Sequence, residues 1–213
     1  MGEQKSDDLF FPIGDTVAQI KSYLVEQRML PINNDINKSM IDQVIGMLLQ
    51  LDYLSNEPIR LLIDTNGGDV AAGFKLYGII QSLNSPVDGV VVGRAASMGA
   101  TILQMCRRRF ALPMTRMFCH LIRCDITLVD RGEMFDEEAR EMVVARARRC
   151  RNKTESLYMQ RTGKTVEEVR RLFHLGETYD LDLSAEDALK EGLIDEILTD
   201  FKFFPGRHQA KAT

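Results

Sequence analysis

The chain has 213 residues, enough for one large domain with its own core, and its 45% apolar and 27% charged content is ordinary for a globular protein. A net charge of −4 argues against a nucleic-acid binder, which is usually basic. No uncharged apolar run reaches the roughly 18 residues of a membrane span, the residues before Phe10-Phe11-Pro12 lack a signal-peptide apolar segment, and Cys106, Cys119, Cys124 and Cys150 follow no zinc or redox spacing, so the chain reads as cytoplasmic with free thiols.

Residues 1–15 read as a flexible lead-in. Val17, Ile20 and Leu24 fall at helical spacing, Met29-Leu30-Pro31-Ile32 suggests a strand end, and Asn33-Asn34-Asp35 a turn. Ser39 is the expected cap of a strongly apolar helix through Leu51. Ile59 to Ile63 is a nearly continuous apolar run, as in a strand buried on both faces of a parallel sheet. Asp64-Thr65-Asn66-Gly67-Gly68-Asp69 follows, and its paired glycines permit positive φ and close backbone approach. The next helix, Val70 to Leu83, places Val70, Phe74, Tyr77 and Ile80 on one face.

A second unit repeats the plan. The strand Val87 to Val92 leads through Gly93-Arg94-Ala95-Ala96-Ser97-Met98-Gly99 into a helix at Ala100 to Met105. Phe110-Ala111-Leu112 and Met117-Phe118-Cys119 suggest two further short strands. From about 135 to 161 the pattern is helical and crowded with arginine, with Ala139, Met142, Val143, Ala147 and Cys150 as its apolar face. Thr165 to Glu168 forms a capping box, and Ser184 caps a short helix ending at Gly192. Leu193 to Leu198 is the last expected strand, and residues 204–213 form a loose tail.

Ser97 is the chemical focus. It sits between small residues where a strand turns into a helix, so its hydroxyl is exposed beside N–H groups that have no partner within the helix. That suits a nucleophile whose carbonyl substrate becomes an oxyanion, although a serine N-cap is the structural alternative. A serine nucleophile needs a base. Of the three histidines, His208 lies in the tail, His174 falls among polar residues, and His120 ends an apolar strand where a side chain can reach a cleft. Met98 to Cys119 holds no acid and Gly93 precedes Ser97 by four residues, which excludes the G-x-S-x-G pattern and the Ser-acid-His order of an α/β-hydrolase. The acid therefore follows His120, and Asp180 and Asp182 stand out ahead of the capped helix. Asp180, Asp182, Ser184 and Glu191 also fall at calcium-loop spacing, but Ala185 occupies the position that such a loop reserves for glycine.

Together, Gly93 to Ala100, Phe110 to Arg116 followed by His120, Asn66-Gly67-Gly68, and Leu183 to Ala188 with Glu191 to Asp195 resemble the ordered motifs of the ClpP family of serine peptidases. The resemblance runs from about Met29 to Leu198. It implies an α/β fold of the ClpP/crotonase type, with stacked ββα units and a long helical handle, in one domain. It assigns Ser97 as nucleophile, His120 as general base and Asp180 as acid, with the N–H groups of Gly68 and Met98 as the oxyanion hole. It implies polypeptide substrates, heptameric or tetradecameric rings, no cofactor, and a Clp ATPase or a ClpP paralogue as partner.

The chain departs from the family pattern at several positions. Thr65-Asn66 stands where Ser-Pro is usual, Leu121 to Asp125 replaces Gln-Pro and a glycine-bearing strand, and Tyr179 replaces an arginine. A catalytically weak structural or regulatory subunit of a mixed ring is the alternative. A crotonase-type acyl-CoA enzyme is disfavoured, because no adenine-binding signature is present.

Overall fold

The structure is a computed structural model that describes residues 13–120, 137–178 and 182–199. In chain order the elements are α1 (Ile13–Glu26), β1 (Met29–Asn33), α2 (Lys38–Leu54), β2 (Ile59–Thr65), α3 (Val70–Ile80), β3 (Val87–Ala96) and α4 (Met98–Met105). Then follow β4 (Arg109–Ala111), β5 (Arg116–Phe118), α5 (Glu137–Thr162), α6 (Val166–Thr178), β6 (Leu183–Ser184), α7 (Ala185–Lys190) and β7 (Glu196–Ile197). The fold is α/β, as expected. α1 begins at Ile13, inside the expected lead-in. No helix among the described residues is long and apolar enough to cross a membrane.

The sheet runs β1-β2-β3-β4-β7, parallel throughout. β3 organises it. Its first half pairs with β4 (Val90↔Phe110) and its second half with β5 (Ala96↔Phe118), so one ten-residue strand feeds two branches. β6 then closes on β5 in antiparallel register. The expected strand ended at Val92, because Gly93-Arg94-Ala95-Ala96 has weak strand propensity. Pairing with β5 overrides that preference. The register between β2 and β3 also shifts between Ile63 and Thr65. There the Asp64 carboxylate accepts the Arg94 N–H at 2.9 Å, so the bulge keeps a backbone donor satisfied.

The helices cover this sheet. α2 buries Ile41, Val44, Ile45, Leu48 and Leu51. Its cap is Asn37, not Ser39: the extended Asn37 backbone lets its side chain accept the Met40 N–H at 3.0 Å. α3 turns Ala72, Gly73, Leu76 and Ile80 into the core. Of its expected face only Ile80 is buried; Val70, Phe74 and Tyr77 are half-buried against the core edge. α4 is buried along its whole length, packed among β2, β3, α3 and α5.

α5 is the long helical handle, 26 residues or about 39 Å at 1.5 Å per residue. Of its expected apolar face, Val143, Ala147 and Cys150 are half-buried. Met142 is 66% exposed, whereas Thr154, Glu155, Leu157 and Tyr158 are buried near the C-terminal end. Tyr158 meets Phe173 of α6 edge-on at 4.9 Å, and Glu155 takes a two-pronged bond from Arg170, so the last turns of α5 dock against α6. The Thr165–Glu168 capping box forms as expected, and the Ser184 hydroxyl accepts the Asp187 N–H at 3.1 Å.

Arg109 pins β4 to the chain before β7. Its buried guanidinium bonds both Asp195 oxygens, Gln104 Oε1 and the Gly192 carbonyl. Burial pushes the Asp195 carboxyl up, but the Arg109 hydrogen bonds outweigh it and hold the group below the ordinary value of 3.8. A depressed folded value means the stabilisation is complete above the unfolded-state value and is lost as pH falls through the folded one. Asp195→Asn should therefore destabilise the protein more at neutral pH than near pH 3, as read by urea unfolding at each pH. A cost independent of pH would show that the charge contributes nothing.

Candidate active site

Ser97 sits at the junction of β3 and α4 with φ 54° and ψ −117°, a left-handed conformation for a residue with a side chain. Such backbones cost on the order of 1–3 kcal/mol and concentrate at functional sites. Both of its backbone polar groups are bound. Ser97 N–H donates to the Phe118 carbonyl at 2.8 Å, and the Ser97 carbonyl accepts the Thr101 N–H at 3.1 Å. The hydroxyl makes no cap bond to the helix, so the N-cap alternative does not account for it. A strained strand-to-helix turn whose serine Oγ caps no helix N–H has the backbone geometry of a nucleophile elbow.

The glycine pair lies against this turn. A Cβ on Gly67 would come within 2.7 Å of Ser97 Cβ and 3.0 Å of Met98 N. Gly68, at φ +143°, forms a parallel bridge with Ile36. The Ile36 N–H donates to the Gly67 carbonyl and the Asp69 N–H to the Ile36 carbonyl, so the bridge leaves the Gly68 N–H unused. Met98 is the first residue of α4, and its N–H has no intrahelical partner. Its side chain is buried over Gly73, where even a methyl group would collide with the sulfur at 2.3 Å. Two backbone donors, those of Gly68 and Met98, thus each stand next in the chain to a residue of this contact, Gly67 and Ser97.

Thr65 fastens that loop. Its hydroxyl donates to the Asn34 carbonyl and accepts the Gly67 N–H at 3.0 Å. Sequence reading singled out Thr65 only as a departure. Its role became visible through a contact 31 positions away, which no local pattern signals.

His120 follows β5. Along that strand Met117 and Cys119 face the core, while Phe118 and His120 share the half-buried opposite face, their rings 5.5 Å apart. Since Ser97 N–H is bound to Phe118, the serine and histidine segments leave the sheet side by side at the C-terminal ends of parallel strands, where α/β sites gather. Asp180 lies outside the described residues. Asp182, the other acid singled out, is paired to Arg94, with Nη2 to Oδ1 at 2.9 Å.

Two buried thiols of the core are poor nucleophiles. Burial pushes Cys106 and Cys119 up to about 12, and only the thiolate attacks. Cys119 instead rests 3.6 Å from the buried Tyr158 hydroxyl.

A family model described as Clp protease matches residues 13–201. The chain belongs to the Clp protease family. Among curated relatives, ATP-dependent Clp protease proteolytic subunit 1 of Chlamydia muridarum is 31% identical over 182 residues, covering 84% of this chain and 90% of the relative. The proteins of the same name from Protochlamydia amoebophila (28% over 188 residues, 86% of each chain) and Chlamydia trachomatis serovar D (30% over 182 residues, 84% and 90%) are also similar. The branching of β3 and the handle α5 are how this Clp protease chain builds its α/β fold.

Proposed function

We propose that this chain is a cytoplasmic, ring-forming serine endopeptidase of the ClpP type, folded as one domain and acting on unfolded polypeptides. The observation that carries the reading is Ser97 in a strained turn, its hydroxyl free of the helix, with Gly67 of the glycine pair packed against it and Met98 N. Ser97 Oγ attacks the scissile carbonyl carbon while His120 takes its proton. The oxyanion is held by the N–H groups of Gly68 and Met98. Collapse breaks the C–N bond, His120 returns the proton to the leaving amine, and water then hydrolyses the acyl-enzyme.

Asp180 fixes the imidazole in this scheme. What supports it is the antiparallel pairing of β6 with β5, Met117↔Leu183, three residues from each of His120 and Asp180 in the sequence. No cofactor takes part, and a separate Clp ATPase supplies unfolding. In a ring of seven subunits, surface that carries the exposed Tyr53, Leu54, Met114 and Met142 would be available for burial.

Hydrolysis of an unfolded protein tests the reading. His120→Ala and Asp180→Asn should each lower the rate by about 10³-fold or more, and native mass should correspond to seven or fourteen copies of the 24.2 kDa chain. Equal rates in wild type and variants would refute the peptidase reading. Activity that emerges only on mixing with a second Clp subunit would instead identify a regulatory ring member.

A further inference from the structure

We infer that Arg94 is a positioning residue for the reaction, tying the strand that delivers Ser97 to the strand that leads to His120 and to Asp182, two residues after Asp180 in the sequence. The inference rests on the serine-peptidase reading above. Three contacts carry it. Arg94 Nη2 bonds Asp182 Oδ1 at 2.9 Å. The Arg94 guanidinium carbon lies 5.9 Å from the centre of the Phe118 ring. That ring in turn lies 5.5 Å from the His120 ring. The backbone of Arg94 is fixed as well, by the Asp64 carboxylate on its N–H and by register with Arg116 of β5.

The arrangement is poorly explained as a stabilising surface ion pair. Both side chains are part-exposed, at 40% and 29%, and pairs of that kind contribute little to folding. Arg94 Nε is meanwhile buried without a hydrogen-bond partner, a cost the pair must offset. What the contact does supply is direction. β6 is only two residues long and pairs with β5 through Arg116↔Ser184 and Met117↔Leu183. A charged clamp from β3 onto Asp182 therefore fixes the residue that leads into β6, and the same guanidinium covers the aromatic ring beside the base. Catalytic groups tolerate little misplacement: an error of about 1 Å costs on the order of 10²-fold in rate.

The test measures acylation of Ser97 by a fluorophosphonate, and kcat and KM for a short peptide amide, in the full chain. Arg94→Met and Asp182→Asn should each slow acylation and lower kcat about tenfold with KM within twofold, the signature of misplaced groups and not of lost binding. The double variant should be no slower than the worse single one, because both remove one contact. Arg94→Lys should recover at least threefold over Arg94→Met. Amide exchange at Leu183 and Ser184 should accelerate in Arg94→Met and stay unchanged in Ser97→Ala.

If Arg94→Met and Asp182→Asn label within twofold of wild type while Ser97→Ala does not label, the positioning role is wrong and the peptidase reading stands. Unchanged exchange at residues 183 and 184 also overturns the role. If wild type labels no better than Ser97→Ala, the peptidase reading fails and takes the catalytic role of Arg94 with it.

Discussion

Ser97→Ala should lower polypeptide hydrolysis by about 10³-fold or more, roughly 4 kcal/mol of transition-state stabilisation, while leaving the fold intact. The two halves of that expectation have separate grounds. The Ser97 hydroxyl makes no cap bond, and the bonds that hold the turn run through its backbone to Phe118 and Thr101. Alanine at φ 54° carries strain similar to that of serine. Loss of the hydroxyl should thus cost the fold no more than about 0.5 kcal/mol, as for substitutions that break no structural contact. Initial rates and thermal unfolding of the same preparation decide the matter. Activity within tenfold of wild type, or a collapse in melting temperature, would make the hydroxyl structural.

Gly68→Ala should damage both activity and stability. A Cβ there would sit 2.2 Å from the Ile36 carbonyl oxygen and 2.9 Å from its nitrogen, against backbone that cannot rotate away. At φ +143° the residue is also in a region essentially closed to side chains. The bridge to Ile36 must open, and with it the bonds from Ile36 N–H and Asp69 N–H. Strain and lost hydrogen bonds together predict destabilisation of about 3 kcal/mol or more. Displacing the Gly68 donor predicts a further loss of about 10²- to 10³-fold in kcat, the usual effect of removing one oxyanion-hole donor. Gly46→Ala is the control. It lies inside α2 with nothing within 4 Å of an added Cβ, and it should stabilise by about 0.5–1 kcal/mol. Chemical denaturation and peptidase rates on the two variants separate the cases; equal behaviour would contradict the loop geometry.

Much of this was legible in the sequence because it is encoded locally. The two strand–turn–helix units, the glycine pair, the caps at Thr165 and Ser184 and the placement of Ser97 and His120 at strand ends each follow from a few neighbouring residues. What was missed depends on distant partners. Gly93 to Ala96 reads as a turn until β5 pairs with it. Arg94 and Asp182 are 88 positions apart, and neither residue alone announces the other. The expected face of α5 ended at Cys150, whereas its buried residues among the described ones are Thr154, Glu155, Leu157 and Tyr158, and Met142 is exposed. Ser39 was expected to cap α2 because serine is a frequent cap; Asn37 does so because its extended backbone aims the side chain at the Met40 N–H.

The most direct measurement is the mass and site of the adduct formed with a fluorophosphonate. Incubation of the whole protein, followed by peptide mapping, should place one phosphonyl group per chain on Ser97. The adduct should be lost in Ser97→Ala and slowed in His120→Ala. An unmodified chain, or an adduct on another residue, would contradict the assignment of Ser97 as the nucleophile.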